Sequence, residues 1–532
     1  MTAPTRSGDP SLARLADAIL IPPFGGRAAP GWVLNALRSG LGGVTVFGPN
    51  IAGPAQLAAL TARLRAATAE PLIAVDEEGG DVTRIAHLVG SNYPGNAALG
   101  AVDDVVLTEA VYRALGTDLA ALGINVDLAP SVDVNTAADN PVIGTRSFGA
   151  DTGLVARHAA AAVTGLQSAG VAACAKHFPG HGSTRIDSHD SIATVDVPLK
   201  LLAQRDLPPF SAAIAAGVRA VMPGHLRVPE LTGDLPASLS AAAQTGLLRG
   251  ELGFTGVIIS DALEMRAVSE PFGLPEVAVL AVAAGTDLLC FGRDQDRATY
   301  LAVRDALAAA VTSGRMPGAR LEDAAARVAD LRAWAAAARE DVAARTTDHQ
   351  TTDHQATDHR AMGRQLADGA DVGLAAARRA IRVTGGPARP LRRPVLVEVV
   401  PPANIAVGMV PWGLEPWVPA DSIVRLGVGA GPGELAQATD GALAAAAGRP
   451  LVVVVRDAHR YQAARDVVTR LLAARPDAVV VEMGLPVWRP PHAVHVATHG
   501  AARISGLAAA EILGLAPAPT PLTEAGRASR PK

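Results

Sequence analysis

Short apolar runs rich in β-branched residues recur along the first 292 positions, at 18–23, 43–47, 72–75, 124–128, 171–175, 220–222, 257–259 and 287–291. Between them lie alanine- and leucine-rich stretches with helical periodicity, such as 55–67, 105–122, 152–169 and 208–216. Near-continuous apolar strands alternating with helices are the pattern of parallel strands buried on both faces. Eight such repeats predict an α/β fold, a (β/α)8 TIM-like barrel, with a doubly wound open sheet as the rival. Polar residues cluster just after the runs: Asp76-Glu77-Glu78-Gly79-Gly80, Lys176-His177, Pro223-Gly224-His225 and Ser260-Asp261. That placement favours the barrel, because a barrel gathers its strand ends at one mouth.

Helical sequence runs on to about residue 345, which sets the expected barrel domain at 1–345. A drifting five-residue repeat follows, carrying His349, His354 and His359. Histidine-rich tracts can bind metal, but a spacing of five turns successive side chains about 140° apart on a helix. Residues 346–372 are therefore read as a polar linker. Further strand-like runs at 394–400, 423–427, 451–455, 478–482 and 493–497 alternate with helical segments. They predict a smaller three-layer α/β sandwich domain over 373–516. The Pro- and Ala-rich end, 517–532, is expected to be a disordered tail.

At 532 residues with 49% hydrophobic content, the chain has material for two sizeable cores. A net charge of −4 argues against a nucleic-acid or anionic-membrane partner. Two cysteines, Cys174 and Cys290, cannot form a disulfide framework and suggest a reducing compartment. No secretory leader and no apolar run of about 18 residues is apparent, so the expected setting is the cytoplasm. Only three of the 47 basic residues are lysine, namely Lys176, Lys200 and Lys532; the other 44 are arginine. A lysine that survives such a bias at a strand end, as Lys176 does, is a candidate for chemistry that needs a compact ammonium.

Lys176, His177, His181, Asp187 and His189 fall within 14 residues of one another, in a segment made loop-like by Pro179, Gly180 and Gly182. A carboxylate beside an imidazole, as in Asp187-Ser188-His189, can fix its tautomer and suit it to proton transfer. Asp261 ends an apolar run and is either a carboxylate facing the mouth or a helix N-cap. Asp76 precedes a double glycine that permits close ligand approach. Arg84 and Arg146 are pocket residues or ordinary surface arginines.

These residues resemble a known family. Lys176-His177-Phe178-Pro179-Gly180-His181-Gly182 followed by Asp187-Ser188-His189 is similar to the signature of glycoside hydrolase family 3 β-N-acetylhexosaminidases, the NagZ-like branch. The likeness extends to 75–80 with Arg84, to Arg146-Ser147-Phe148, and to 259–265. The resemblance implies a retaining mechanism, with Asp261 as nucleophile and a His189–Asp187 pair as general acid and base. It further implies that Asp76, Arg84, Arg146, Lys176 and His177 bind the sugar, and that no cofactor or metal is needed. Two-carboxylate retaining enzymes hold their carboxyls about 5–5.5 Å apart, so a histidine acid departs from that pattern. A neutral histidine does not repel an incoming anion, which leaves phosphorolysis open. Where the family motif often has Gln and Arg, this chain has Glu77 and Asp81.

The expected activity is removal of terminal β-linked N-acetylglucosamine from peptidoglycan or chitin fragments. A β-glucosidase and a phosphorylase are rivals within the same chemistry. From another class, a metal-dependent amidohydrolase could use His177, His181, His225 and Asp261. The expected partner is a small carbohydrate only. With 3% aromatic residues there is little material for a stacking platform, which favours a small polar pocket for one sugar.

Overall fold

A computed structural model of the protein describes residues 10–186, 192–347, 358–402 and 406–516. Two compact units emerge: Met1–Ala380 with Ala403–Pro411 and Ala502–Ile504, and the remainder from Ile381 onward.

The first unit is built on eight parallel strands: β1 Leu20–Ile21, β2 Gly43–Thr45, β3 Leu72–Val75, β4 Val126–Asp127, β5 Ala172–Phe178, β6 Ala220–Pro223, β7 Val257–Ile258 and β8 Leu289–Cys290. Strands β2 to β7 form one sheet in chain order, and β1 pairs with β8 in the register Leu20 to Leu289. The ring closes on both sides of that pair. Thr45 N donates to Pro22 O (3.3 Å), and Ile259 bridges Leu288 in parallel. The strands are short and buried throughout, which is why they read as plain apolar runs. Each polar cluster noted in the sequence emerges at a carboxyl end, so β3, β5, β6 and β7 deliver theirs to the same mouth.

One reading needs correction. Residues 358–372, expected to be linker, lie in the helix Asp358–Ala380, which belongs to the first unit. Small residues at helical spacing allow its close approach. A Cβ on Gly373 would stand 2.0 Å from Asn92 O, and Ala376, Ala377 and Ala380 are buried. The repeat masked this pattern because its polar positions lie upstream of the packed turns. His349, His354, Asp187, His189 and the 517–532 tail lie outside the described residues.

The second unit is a six-stranded sheet: β9 Arg382–Thr384, β10 Val395–Val400, β11 Ile423–Gly427, β12 Leu451–Val455, β13 Val479–Glu482 and β14 Val494–Ala497. Their order is β9-β14-β13-β12-β10-β11, all parallel except the edge strand β9, which the sequence reading missed. Alternation along β10 feeds two separate cores: Val395, Val397 and Val399 on one face, Leu396 on the other. This is the three-layer sandwich expected.

Candidate active site

A cavity of about 720 Å³ opens in the first unit and is lined by Asp76, Glu78, Arg84, Arg146, Lys176, His177 and Asp261, among others. Every sugar-binding candidate from the sequence is therefore brought together with the candidate nucleophile. Lys176 stands at its centre. Its ammonium donates to Asp76 Oδ1 at 2.7 Å and lies 2.8 Å from Glu78 Oε1, with only 3% of the side chain exposed. Burial would lower its pKa, but Asp76 and Glu78 reverse this and hold it above the usual lysine value.

Glu78, which the sequence reading quoted but did not assign, is the pivot of this network. Arg146 grips it through two parallel bonds, Nε to Oε2 (2.8 Å) and Nη2 to Oε1 (2.7 Å). That is the fork-to-fork geometry for which arginine is suited and lysine is not. Burial alone would raise the Glu78 carboxyl, yet Arg146 and Lys176 together hold it well below the usual range. The signal for Glu78 was its spacing: two residues from Asp76 on an extended segment, it emerges on the same side.

Asp133, also missed, organises the histidines. Its Oδ1 accepts from the backbone N–H of His177 (3.2 Å) and of His181 (2.7 Å), and Ser131 Oγ donates to its Oδ2 (2.9 Å). His177 Nε2 lies 3.3 Å from Arg146 Nη2, and a guanidinium can only donate. Nε2 is therefore the acceptor, and the ring proton on Nδ1 is donated to Asp133 Oδ2 at 2.8 Å. Burial, reinforced by the neighbouring His177, pushes His181 down to about 4, so it is neutral near pH 7.

Asp261 stands three residues beyond the end of β7, after Ile259 and Ser260. The next helix, Arg266–Phe272, begins five residues later with Met265 as its cap, so the N-cap alternative does not hold. Instead Ala262 N donates to Asp261 Oδ1 at 2.8 Å. The turn is braced from beneath by the buried His225. Its Nε2 donates to Ala262 O (3.0 Å), and Ser238 Oγ lies 2.7 Å from its Nδ1. Glu264 also lines the cavity; burial raises its carboxyl, and Gly292 N donates to it at 2.7 Å.

The histidines are thus committed elsewhere: His177 to Asp133, His225 to Ser238 and Ala262. Among the described residues no group of three or more His, Cys, Asp or Glu side chains converges to hold a metal ion.

Residues 33–331 match the model of the glycosyl hydrolase family 3 N-terminal domain. The chain belongs to glycoside hydrolase family 3. Within it, the chain is similar to beta-hexosaminidase A of Pseudoalteromonas piscicida, 34% identical over 321 residues. That alignment covers 56% of this chain and 54% of the relative, so the chain spans about half of that relative's length. Similarity to beta-hexosaminidase LpqI of Mycobacterium tuberculosis is 39% over 265 residues, covering 49% of this chain and 67% of that one. Among solved family 3 structures, the β-N-acetylglucosaminidase from Paenibacillus sp. FPU-7 superposes with a TM-score of 0.80 at 32% identity. That match covers 96% of this chain and 97% of the other, so the likeness takes in both units.

Proposed function

We propose that this family 3 protein is a retaining exo-β-N-acetylglucosaminidase that removes terminal β-linked N-acetylglucosamine from peptidoglycan- or chitin-derived fragments in the cytoplasm. The observation that carries this reading is the meeting of Asp261 with the Lys176–Asp76–Glu78–Arg146 network on one cavity. Relatives named as beta-hexosaminidases and β-N-acetylglucosaminidases support the substrate class.

Asp76, with a quarter of its side chain exposed, has acceptor positions to offer to sugar hydroxyls; Arg84 and Lys176 are the facing donors. Such paired polar groups fix the ring so that its anomeric carbon meets Asp261. An Asp261 carboxylate oxygen then bonds to that carbon while the bond to the aglycone oxygen breaks. The departing oxygen takes a proton from His189, which Asp187 orients. In the second half, His189 takes a proton from water, water attacks the same carbon, and the ester to Asp261 breaks. Positioned acid–base catalysis of this kind contributes about 10²–10⁴-fold.

Hydrolysis of an aryl β-N-acetylglucosaminide is measured against the matching aryl β-glucoside, in buffer with and without phosphate. Preference for the N-acetyl substrate without phosphate, lost in Asp261→Ala, is the expected result. Preference for the glucoside, dependence on phosphate, or an active Asp261→Ala variant would each overturn it.

A further inference from the structure

Asp76 and Glu78 line the cavity, but Glu77 between them does not. It is buried, and its Oε2 gathers three donors from one short stretch of chain: Thr83 Oγ1 at 3.0 Å, Arg84 N at 2.7 Å and Ile85 N at 3.0 Å. Its own N–H donates to Asp127 Oδ1 at the end of β4, 3.0 Å away. One carboxylate thus pins the Thr83–Ile85 stretch to the ends of β3 and β4.

That stretch carries Arg84. The guanidinium reaches Asp76 Oδ2 at 3.9 Å and donates to Ala406 O at 3.0 Å. On the other side of the same residue, His87 Nδ1 lies 2.9 Å from Arg84 O and donates to it. The backbone of Arg84 is therefore held at both its N–H and its carbonyl, and Glu77 supplies the N–H anchor. A long arginine in a cavity wall has many rotamers, and anchoring its backbone removes part of the ordering cost of binding.

We infer that Glu77 is a positioning residue for the sugar pocket, acting through Arg84 by holding the Thr83–Ile85 stretch. The inference rests on the reading of Arg84 as a sugar-binding residue given above.

The same carboxyl has an unusual environment. Burial pushes it up to about 7, against the three donors and the more distant charge of Arg84. Asp127 faces it from β4 and Tyr93 from the loop beyond; Lys176 and Asp76 act on that Asp127 in turn. Its Oε1 and the Oδ2 of Asp127 have no hydrogen-bond partner among the described residues, so a second charge there meets no donor. A carboxylate accepts more strongly than a neutral carboxyl, so the hold on the Arg84 N–H tightens as pH rises through neutrality.

The test is a kinetic cycle on an aryl β-N-acetylglucosaminide with the full chain and four variants: Glu77→Ala, Glu77→Gln, Arg84→Ala and the Glu77→Ala/Arg84→Ala double variant. Loss of the three bonds is expected to raise KM about tenfold in Glu77→Ala with a much smaller change in kcat. Glu77→Gln, which keeps an acceptor oxygen, restores most of KM and lacks the fall in KM with rising pH that is expected of the wild type. In the Arg84→Ala background, Glu77→Ala adds no further effect. Should Glu77→Ala fail to fold, Thr83→Val removes one donor and raises KM about threefold. Unchanged KM in the variants that fold, or effects of Glu77→Ala and Arg84→Ala that simply multiply, would overturn the inference while leaving the pocket intact. An Arg84→Ala variant with wild-type KM would overturn the pocket reading and the inference with it.

Discussion

Replacing Lys176 by methionine tests whether the ammonium holds the cavity wall together. Methionine keeps the bulk of the stem and deletes the charge. The wild-type group sits 2.7 Å from Asp76 Oδ1 and 2.8 Å from Glu78 Oε1, with almost no exposure. Breaking a buried pair by removing one partner costs about 3–5 kcal/mol, because a charge is left uncompensated. Here the loss is tempered on both sides. Glu78 retains its bidentate bond to Arg146, and Asp76, 25% exposed, regains water. The expected cost is therefore at the lower end, about 3 kcal/mol at pH 7. Glu78 has a depressed pKa in the folded protein, so the stability it contributes is present above its unfolded value and fades as pH falls through the folded one. Without Lys176 that depression shrinks, and Glu78 protonates more readily. The gap between wild type and variant is thus full at pH 7 and narrows only in acid well below the usual carboxylate range, where Glu78 protonates in the folded protein. Urea unfolding at pH 7, with KM measured at the same pH, reads the effect. A loss below about 1 kcal/mol would refute the reasoning.

Asp261→Ala is expected to lower kcat/KM by at least about 10³-fold, some 4 kcal/mol of barrier, with an unchanged circular dichroism spectrum. Glu77→Gln gains stability relative to wild type as pH rises: the raised carboxyl costs nothing below its unfolded value near 4.5 and its full penalty above about 7. The difference in unfolding free energy between pH 5 and pH 8 is about 3 kcal/mol in favour of the variant, and no pH dependence would contradict it. Gly182→Ala places a Cβ about 2.0 Å from Val134 O, a backbone atom that cannot swing aside. It is expected to cost about 1–3 kcal/mol and to raise KM, since the neighbouring His181 is tied to Asp133.

Much of the fold was legible because burial on both faces leaves an unmistakable apolar run. All eight barrel strands fall within the runs at 18–23 through 287–291 or overlap them. The elements that escaped were those whose patterns are not apolar. Strand β9, Arg382–Thr384, has the burial of an edge and the sequence of a helix end. The helix Asp358–Ala380 packs through glycine and alanine, which carry no hydrophobic signal. In the site, Lys176 stood out by composition, and Asp76, Arg146, His177 and Asp261 by motif. Asp133 and Glu77 did not, because what matters about them is which donors converge on their oxygens.

The sequence by itself determined the order of strands, the sandwich beyond the barrel, and the set of polar residues that emerge at strand ends. These follow from local periodicity and from which residue types follow an apolar run. Only the tertiary structure decided how those residues pair. Lys176 and Asp76 are 100 positions apart, and Arg146 and Glu78 are 68 apart, yet each pair is in hydrogen-bond contact. Closing a ring of strands brings such positions within 3 Å, and burial then forces every charge among them to find a partner.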